Sequence, residues 1–280
     1  MYVNRVSVTS TNPHKFDKES ATELLDAVLC ALRMNGQVNG REWPVFASGE
    51  TVSAIVLSPE EQSLDARYNS KYVTAAIASC EADGLLMTLE VLGEDTESLP
   101  MCHCPRPSAY VLFTNYTTLE SPIRCMDCFG PIAMYHMETM ESGEFNELIT
   151  WQSDYQSCDR LQMNCSVLEK EAMQELLNID SSLNTIGLDY CKTLAASSNH
   201  PFYYYLYSGE SESIQTELER RCPGCGDDWR LRPRLHDLFD FKCDRCHLLS
   251  NIAFDIRWEL DESELERPPQ SAPIDEQKPT

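Results

Sequence analysis

Residues 221–250 read RCPGCGDDWRLRPRLHDLFDFKCDRCHLLS, and the structure of the C-terminal part of the chain depends on this segment. It contains two Cys-x-x-Cys pairs, Cys222 with Cys225 and Cys243 with Cys246, separated by 17 residues. This spacing is typical of a four-cysteine zinc site, because each tight turn directs two thiolates at one ion and two such turns complete a tetrahedron. We interpret the stretch as a zinc ribbon. The alternative is two redox dithiols, although redox motifs rarely come as matched pairs.

The segment between the two pairs is long enough for two short strands. Gly226 follows the second cysteine of the first pair, at a position where the backbone often needs a positive φ. Several apolar residues are available to pack beside the metal: Trp229, Leu231, Leu235, Leu238, Phe239 and Phe241. Four cysteine ligands leave no open coordination position, so we expect a structural zinc ion that contributes folding energy.

A second group of cysteines lies in the middle of the chain. It consists of a Cys-x-Cys pair and a Cys-x-x-Cys pair with 20 residues between them: Cys102, Cys104, Cys125 and Cys128. These four residues predict a second zinc site. The Cys-x-Cys half has an unusually tight bite, so His103 or His136 is an alternative ligand. The other interpretation, four packed thiols, would leave reactive pairs exposed.

The charge of the chain is strongly negative. Its 280 residues include 45 acids and 22 Lys or Arg, a net charge of −23. Residues 1–100 hold 15 acids and 7 bases, residues 101–219 hold 17 acids and 5 bases, and only residues 220–254 hold more bases than acids. The electrostatic field of so negative a chain repels polyanions and attracts basic protein surfaces. Nucleic-acid affinity, in contrast, depends largely on Lys and Arg that neutralise phosphates.

The sequence predicts a cytoplasmic protein that does not enter a membrane. No apolar run approaches the roughly 18–20 residues needed to span a bilayer. The first ten residues, MYVNRVSVTS, lack the basic and apolar regions of a secretory signal. In the cytosol, the 13 cysteines are expected to be metal ligands and small buried side chains rather than disulfides.

The first hundred residues predict alternating strands and helices in a compact α+β sandwich. The predicted elements are a strand at 2–9, a helix from Lys15 to Met34, a strand at 51–57, a helix from Ser58 to about Cys80, and a strand from Leu85 to Leu92. Cys30 lies in the apolar stripe of the first helix and is expected in the core. No phosphate-binding glycine loop is present.

The predicted fold class of the whole chain is α+β, in four segments. An α/β sandwich-like domain at 1–98 precedes a cysteine-rich segment with a helical region at 99–218, the zinc ribbon at 219–258 and a disordered acidic tail at 259–280. Residues 145–198 are expected to be helical throughout. Residues 202–207 read FYYYLY and predict a strand that is half core and half surface; base stacking is the alternative for its tyrosines.

No catalytic constellation is recognisable. His136-Met137-Glu138 imitates the His-x-Glu of zinc deaminases, but the deaminase pattern places Pro before the first cysteine, whereas Pro223 follows Cys222. The six histidines are scattered, and no P-loop, His-Glu-x-x-His or Gly-x-Ser-x-Gly motif occurs. We therefore expect a protein that is not an enzyme, with no catalytic residues.

Several unlike blocks, in order, resemble a bacterial family described by its zinc ribbon and by suspected nucleic-acid binding. The blocks are CHCP (102–105), LFTN (112–115), SPIRCMDCFGP (121–131), WQSDYQSCD (151–159), LQMNCS (161–166), YYYLY (203–207) and the ribbon itself. The resemblance covers roughly residues 100–255. The chain is also similar to immunity proteins of secreted bacterial nuclease toxins, which implies a basic nuclease domain as partner.

Three hypotheses follow. The first is a non-enzymatic immunity protein whose acids cover the basic active-site region of a nuclease toxin. The second is a zinc-ribbon nucleic-acid-binding protein that uses the arginines of the ribbon: Arg220, Arg221, Arg230, Arg232, Arg234 and Arg245. The third is a zinc enzyme with an open coordination position at the first cysteine group. We favour the first hypothesis.

Overall fold

The computed structural model describes residues 1–138 and 142–257, and over these residues the chain is α+β, as predicted. The chain divides into two compact units, Met1–Leu206 and a second that begins at Tyr207. The predicted boundaries near residues 98 and 218 stay predictions, and the predicted acidic tail lies outside the described residues. Among the described residues, no helix combines the length and the apolar character that crossing a membrane requires.

The N-terminal part of the first unit is a four-stranded antiparallel sheet with two helices. Its elements are β1 (Tyr2–Ser10), α1 (Lys18–Met34), β2 (Val45–Ser48), β3 (Thr51–Ser58), α2 (Lys71–Ala82) and β4 (Leu85–Glu94). The strand order is β2-β3-β1-β4. The sequence predicted every one of these elements except β2, a strand whose four residues are all exposed.

Both helices pack on the same face of this sheet. Val6 of β1 lies opposite Ala54 of β3 and Leu89 of β4, so these side chains point to one face. Val6 and Ala54 belong to one buried cluster with Leu25 of α1 and Val73 of α2. The apolar stripe of α1 is therefore buried against the sheet.

The helix predicted to start at Ser58 is wrong over its first half. Ser58 is the last residue of β3, and its hydroxyl already bonds to Asn4 and to the Glu60 carbonyl. Turns and a short 3-10 segment follow, and α2 begins only after Ser70, whose side chain accepts the Val73 N–H at 3.3 Å. The chain thus uses Ser70, and not Ser58, as the cap of α2.

Cys30 was expected in the core, and that expectation is wrong. The buried positions of α1 are Ala21, Leu25, Val28, Leu29 and Leu32. Cys30 follows Leu29 by one residue, which rotates its side chain out of the stripe. Its thiol is exposed and lies 3.9 Å from the carboxylate of Asp26.

The middle of the chain contains three further strands and three helices. Its elements are β5 (Tyr110–Leu112), β6 (Ile123–Cys125), α3 (Asn146–Asn164), α4 (Glu169–Leu177), α5 (Ser182–Ser198) and β7 (Phe202–Leu206). β5 pairs antiparallel with β6 and parallel with β7. The helical prediction for 145–198 agrees with α3, α4 and α5, which are separated by short breaks.

All five residues of β7 are buried, which corrects the expected half-exposed strand. Tyr204 donates its hydroxyl proton to Asn184 of α5 at 2.7 Å, so helices cover one face. Tyr205 packs against Phe113 with ring centroids 5.0 Å apart on the other face. Because both faces are covered, these tyrosines do not form an exposed stacking surface for bases.

The second unit contains the ribbon. Its elements are α6 (Ile214–Leu218), β8 (Arg230–Leu235), β9 (Phe239–Cys243), β10 (Leu248–Ser250) and α7 (Phe254–Arg257). β9 pairs antiparallel with β8 and with β10. The two strands expected between the cysteine pairs are present, and β10 is an addition that the sequence did not predict.

Candidate metal centres

The four cysteines of the ribbon converge. The Sγ atoms of Cys222, Cys225, Cys243 and Cys246 all lie within 4.8 Å of one another. The Cys225 and Cys243 sulfurs are 3.6 Å apart. A tetrahedral zinc ion with Zn–S bonds of about 2.3 Å requires sulfurs about 3.8 Å apart, so this donor set fits one zinc ion.

Two tight turns present these sulfurs. The Gly226 N–H donates to the Cys222 carbonyl at 2.8 Å and closes the first turn, and Gly226 has a φ of +77°, as its position in the sequence predicts. A Cβ atom added to Gly224 would lie 2.8 Å from the Cys246 sulfur. In the second turn the Cys246 N–H donates to the Cys243 sulfur at 3.3 Å.

A small aromatic core supports the ribbon. Trp229 and Phe241 are buried, with ring centroids 5.1 Å apart. The guanidinium of Arg220 lies over both rings, 5.1 Å from the Trp229 centroid and 4.3 Å from the Phe241 centroid. Phe239 is also fully buried, whereas Leu231, Leu235 and Leu238 are half-buried. Of the residues predicted to pack beside the metal, the three aromatic residues are thus buried, and the three leucines are only partly buried.

The second candidate centre lies in the first unit. The Sγ atoms of Cys102, Cys104, Cys125 and Cys128 also lie within 4.8 Å of one another. Cys125 ends β6, and its N–H and carbonyl bond to the Gly130 carbonyl and the Phe129 N–H, each at 2.9 Å. The Cys-x-Cys half, despite its short spacing, brings both sulfurs into the group.

Backbone N–H groups surround the sulfurs of this centre. Cys104 donates to the Cys102 sulfur at 3.3 Å, Asp127 to the Cys125 sulfur at 3.3 Å, and Gly130 to the Cys128 sulfur at 3.4 Å. Such donors stabilise thiolates and orient metal ligands. The sequence did not predict these contacts, although a glycine two residues after a cysteine is a weak signal for them.

The thiols of the two centres differ in their tendency to ionise. Burial raises the pKa of Cys102, and hydrogen bonding to Cys128 raises the pKa of Cys104 to about 11. Burial acts to raise the pKa of Cys128, but the Gly130 N–H and the neighbouring thiols lower it by more. The ribbon repeats this contrast, since burial raises the pKa of Cys246 while the pKa of Cys243 is lowered on balance. A metal ion must therefore displace protons from the raised thiols.

Neither histidine considered as an alternative ligand joins the described cysteine groups. His136 Nε2 lies 2.9 Å from a carboxylate oxygen of Glu60, and that oxygen also accepts the Tyr135 hydroxyl. His103 is exposed. The all-cysteine set is therefore the arrangement that the geometry favours for the middle of the chain.

The other cysteines stand outside both centres. Cys80 and Cys191 are buried, Cys158 is half-buried, and Cys30 and Cys165 are exposed. They occur on different helices or helix ends and do not form a metal-binding group within the described part of the chain.

The arginines of the nucleic-acid hypothesis lie close to carboxylates. The nitrogen–oxygen distances are 3.1 Å for Arg220–Glu217, 3.9 Å for Arg221–Asp228, 3.3 Å for Arg234–Asp237 and 3.4 Å for Arg245–Asp227. Burial and the charge of Arg232 lower the pKa of Arg230, while Asp240 and Asp228 oppose that effect. Local acids thus compensate most of the positive charge of the ribbon.

Three family models match successive parts of the chain. Residues 1–92 match "Domain of unknown function (DUF8589)", residues 104–207 match "Domain of unknown function (DUF2310)" and residues 211–256 match "Domain of unknown function (DUF8594)". A solved structure, Rv0793 from Mycobacterium tuberculosis, is 15% identical and aligns over 35% of this chain and all of its own, with a TM-score of 0.26. A similarity this low carries no functional argument.

Two relatives come from Haemophilus influenzae, and both are described as uncharacterized proteins. One is 34% identical over 243 residues, which cover 85% of this chain and 93% of the relative. The other is 34% identical over 167 residues, which cover 60% of this chain and 82% of the relative. This chain therefore belongs to the same family as these Haemophilus proteins, with the DUF2310 domain at its centre.

Proposed function

We propose that this protein is a non-enzymatic, zinc-binding protein that acts by binding another protein. Its partner is a basic nuclease domain of a secreted bacterial toxin, and the protein is the immunity factor that covers the basic active-site region. The observation that carries this proposal is the charge distribution: a net charge of −23, together with ribbon arginines that already have acidic neighbours.

The acids beside the ribbon arginines make nucleic acid a less favourable partner. A protein that binds a polyanion gains affinity when its free cations replace the counterions of the phosphates. Arg234 and Arg245 would first have to leave Asp237 and Asp227. The field of the remaining chain would then oppose the approach of the nucleic acid.

The same charge favours a basic protein. Complementary potentials accelerate association and orient the two surfaces, and a nuclease must carry a positive cleft to hold its substrate. The two four-cysteine centres would be structural, because zinc with four protein ligands has no coordination position left for water or substrate. The metal therefore rigidifies the binding surface in this proposal and takes no part in chemistry.

The test uses the purified full chain and a nuclease encoded beside its gene. We expect a 1:1 complex in calorimetry, loss of nuclease activity on plasmid DNA at equimolar protein, and an affinity that falls as salt screens the attraction. A nuclease that remains fully active in molar excess of this protein would refute the proposal.

A fluorescence-anisotropy titration with short single- and double-stranded DNA and RNA provides the matched control. We expect no binding at physiological salt. Binding that persists there, and that weakens when Arg245 is replaced by Gln, would instead support the nucleic-acid hypothesis.

A further inference from the structure

A cleft of about 660 Å³ opens within the unit Met1–Leu206. One wall is a single face of α3, because its lining residues Ile149, Ser153, Gln156 and Arg160 recur at helical spacing. The opposite wall is the segment 38–44 that follows α1, together with residues 55–57 of β3. This volume is in the usual range for small-molecule sites.

The lining of this cleft is basic, although its surroundings are acidic. Residues 1–206 contain 28 acids and 12 Lys or Arg. The cleft nevertheless collects Arg33, Arg41 and Arg160, and Glu42 is the sole acid among its lining residues. Within the described part of the chain, no carboxylate lies within 4.0 Å of any of these three guanidinium groups. Three arginines against one acid reverse the ratio of charges in the rest of residues 1–206.

Backbone and side-chain contacts hold two of these arginines in place. Arg33 donates from Nε to the Gly40 carbonyl at 2.7 Å, which fixes its half-buried guanidinium. Arg41 donates to the hydroxyl of Ser153 on the facing helix. Arg160 is exposed. Within the described part of the chain, the terminal nitrogens of Arg33 and the guanidinium nitrogens of Arg160 have no recorded acceptor. They can therefore donate to a bound ligand.

The positive charge of Arg41 acts on the guanidinium of Arg33. Burial lowers the pKa of Arg33, and the charge of Arg41 lowers it further. Two like charges held beside each other raise the free energy of the empty cleft, and a bound anion would relieve that repulsion.

The rest of the lining is suited to an organic group rather than to a bare ion. Trp43 is half-buried, and Leu119 leaves 51% of its surface exposed. Gln152 and Gln156 use their Nε2 groups to donate to the Glu120 and Thr118 carbonyls, at 2.8 and 2.6 Å. Their amide oxygens are therefore left as acceptors beside the apolar surface.

We infer that this cleft binds a small organic anion, in which a phosphate or carboxylate group is joined to an aromatic or apolar body. Arg33, Arg41 and Arg160 hold the oxyanion, because planar guanidinium groups match phosphate and carboxylate oxygens in paired hydrogen bonds. Trp43 and Leu119 cover the body. This binding site goes beyond the proposed function, which concerns a protein partner and does not use the cleft.

The test is calorimetry and ligand-observed NMR with the full chain and four probes. Phenyl phosphate and benzoate carry the two candidate head groups, phenol carries the ring alone, and inorganic phosphate carries the head group alone. We expect at least one aromatic anion to bind, and to bind more tightly than phenol and inorganic phosphate; which one binds identifies the head group. Failure of both aromatic anions to bind with a dissociation constant below about 10 mM would overturn the inference, as would equal binding of phenol or of inorganic phosphate.

Two arginine variants locate the site. Arg160→Gln removes an exposed cation without disturbing a described contact, and we expect it to weaken binding about tenfold, the usual cost of a charged hydrogen bond. Arg67→Gln changes an exposed arginine of the same unit outside the cleft and should leave the affinity unchanged. Equal weakening by both variants would indicate a general charge effect and would overturn the inference.

Discussion

Single residues at the two cysteine centres are expected to control the stability of whole segments. Cys243 ends β9 and contributes one of four converging sulfurs. We expect Cys243→Ser to lose zinc from the ribbon and to unfold the second unit, because structural zinc supplies most of the folding energy of so small a module. Zinc analysis and thermal unfolding provide the measurement.

The matched control for that variant is Cys30→Ser, which changes an exposed thiol outside both centres. We expect it to leave the zinc content unchanged and the free energy of unfolding within about 0.5 kcal/mol of the original. A Cys243→Ser protein with normal zinc content and normal melting would refute the ribbon as a metal site.

A buried ion pair beside the middle centre gives a second prediction at this scale. The Arg124 side chain is 1% exposed, and its guanidinium lies 3.6 Å from a carboxylate oxygen of Glu120. Burial lowers the pKa of Arg124, which reflects the cost of charge in this environment. We expect Glu120→Ala to destabilise the protein by about 3–5 kcal/mol, because it leaves a buried cation unpaired.

The double variant Glu120→Gln with Arg124→Met tests this reasoning. It removes both charges while keeping similar side-chain volumes, so denaturant unfolding should show a smaller loss of stability than Glu120→Ala alone. A larger loss in the double variant would show that the side chains matter through contacts other than their charges.

At the scale of the elements, the start of α2 depends on one hydroxyl. Ser70 accepts the Val73 N–H and caps the helix. We expect Ser70→Ala to lower the free energy of unfolding by about 1 kcal/mol, as measured by urea denaturation. Ser79→Ala in the same helix is the control: its hydroxyl bonds back to the Ala75 carbonyl, and its loss should cost little. Equal effects of the two changes would mean that Ser70 does not act as a cap.

The elements also show where local sequence signals were sufficient. Strong periodicity predicted α1, and the tyrosine-rich run predicted β7. β2, β6 and β10 were missed, since strands of three or four residues carry too short a pattern and are formed by pairing with neighbours. The false start of α2 at Ser58 has a similar cause, because pairing of β3 with β1 outweighs the local capping signal.

At the scale of the whole molecule, zinc uptake is expected to release protons. The pKa values of Cys102, Cys104 and Cys246 are raised, so these three thiols are protonated at pH 7 without metal. Binding of zinc requires thiolates, and lowering the pH therefore favours the metal-free protein. Calorimetric titration of the metal-free protein in buffers of different ionisation enthalpy should show at least three protons released. Zinc uptake without proton release would contradict the assignment of these sulfurs as ligands.

Residue types and their spacing were enough to predict the two four-cysteine groups, the acidic character of the chain and most of the longer helices and strands. These features are local: a two-residue spacing fixes a turn, and a helical period fixes a face. Three features became apparent only in the folded chain: Cys30 is exposed, β7 is buried on both faces, and acids lie beside most of the ribbon arginines. The fold alone brought Arg33, Arg41 and Arg160 to one cleft, since such contacts join residues far apart in the chain and depend on how α1 and α3 pack within their unit.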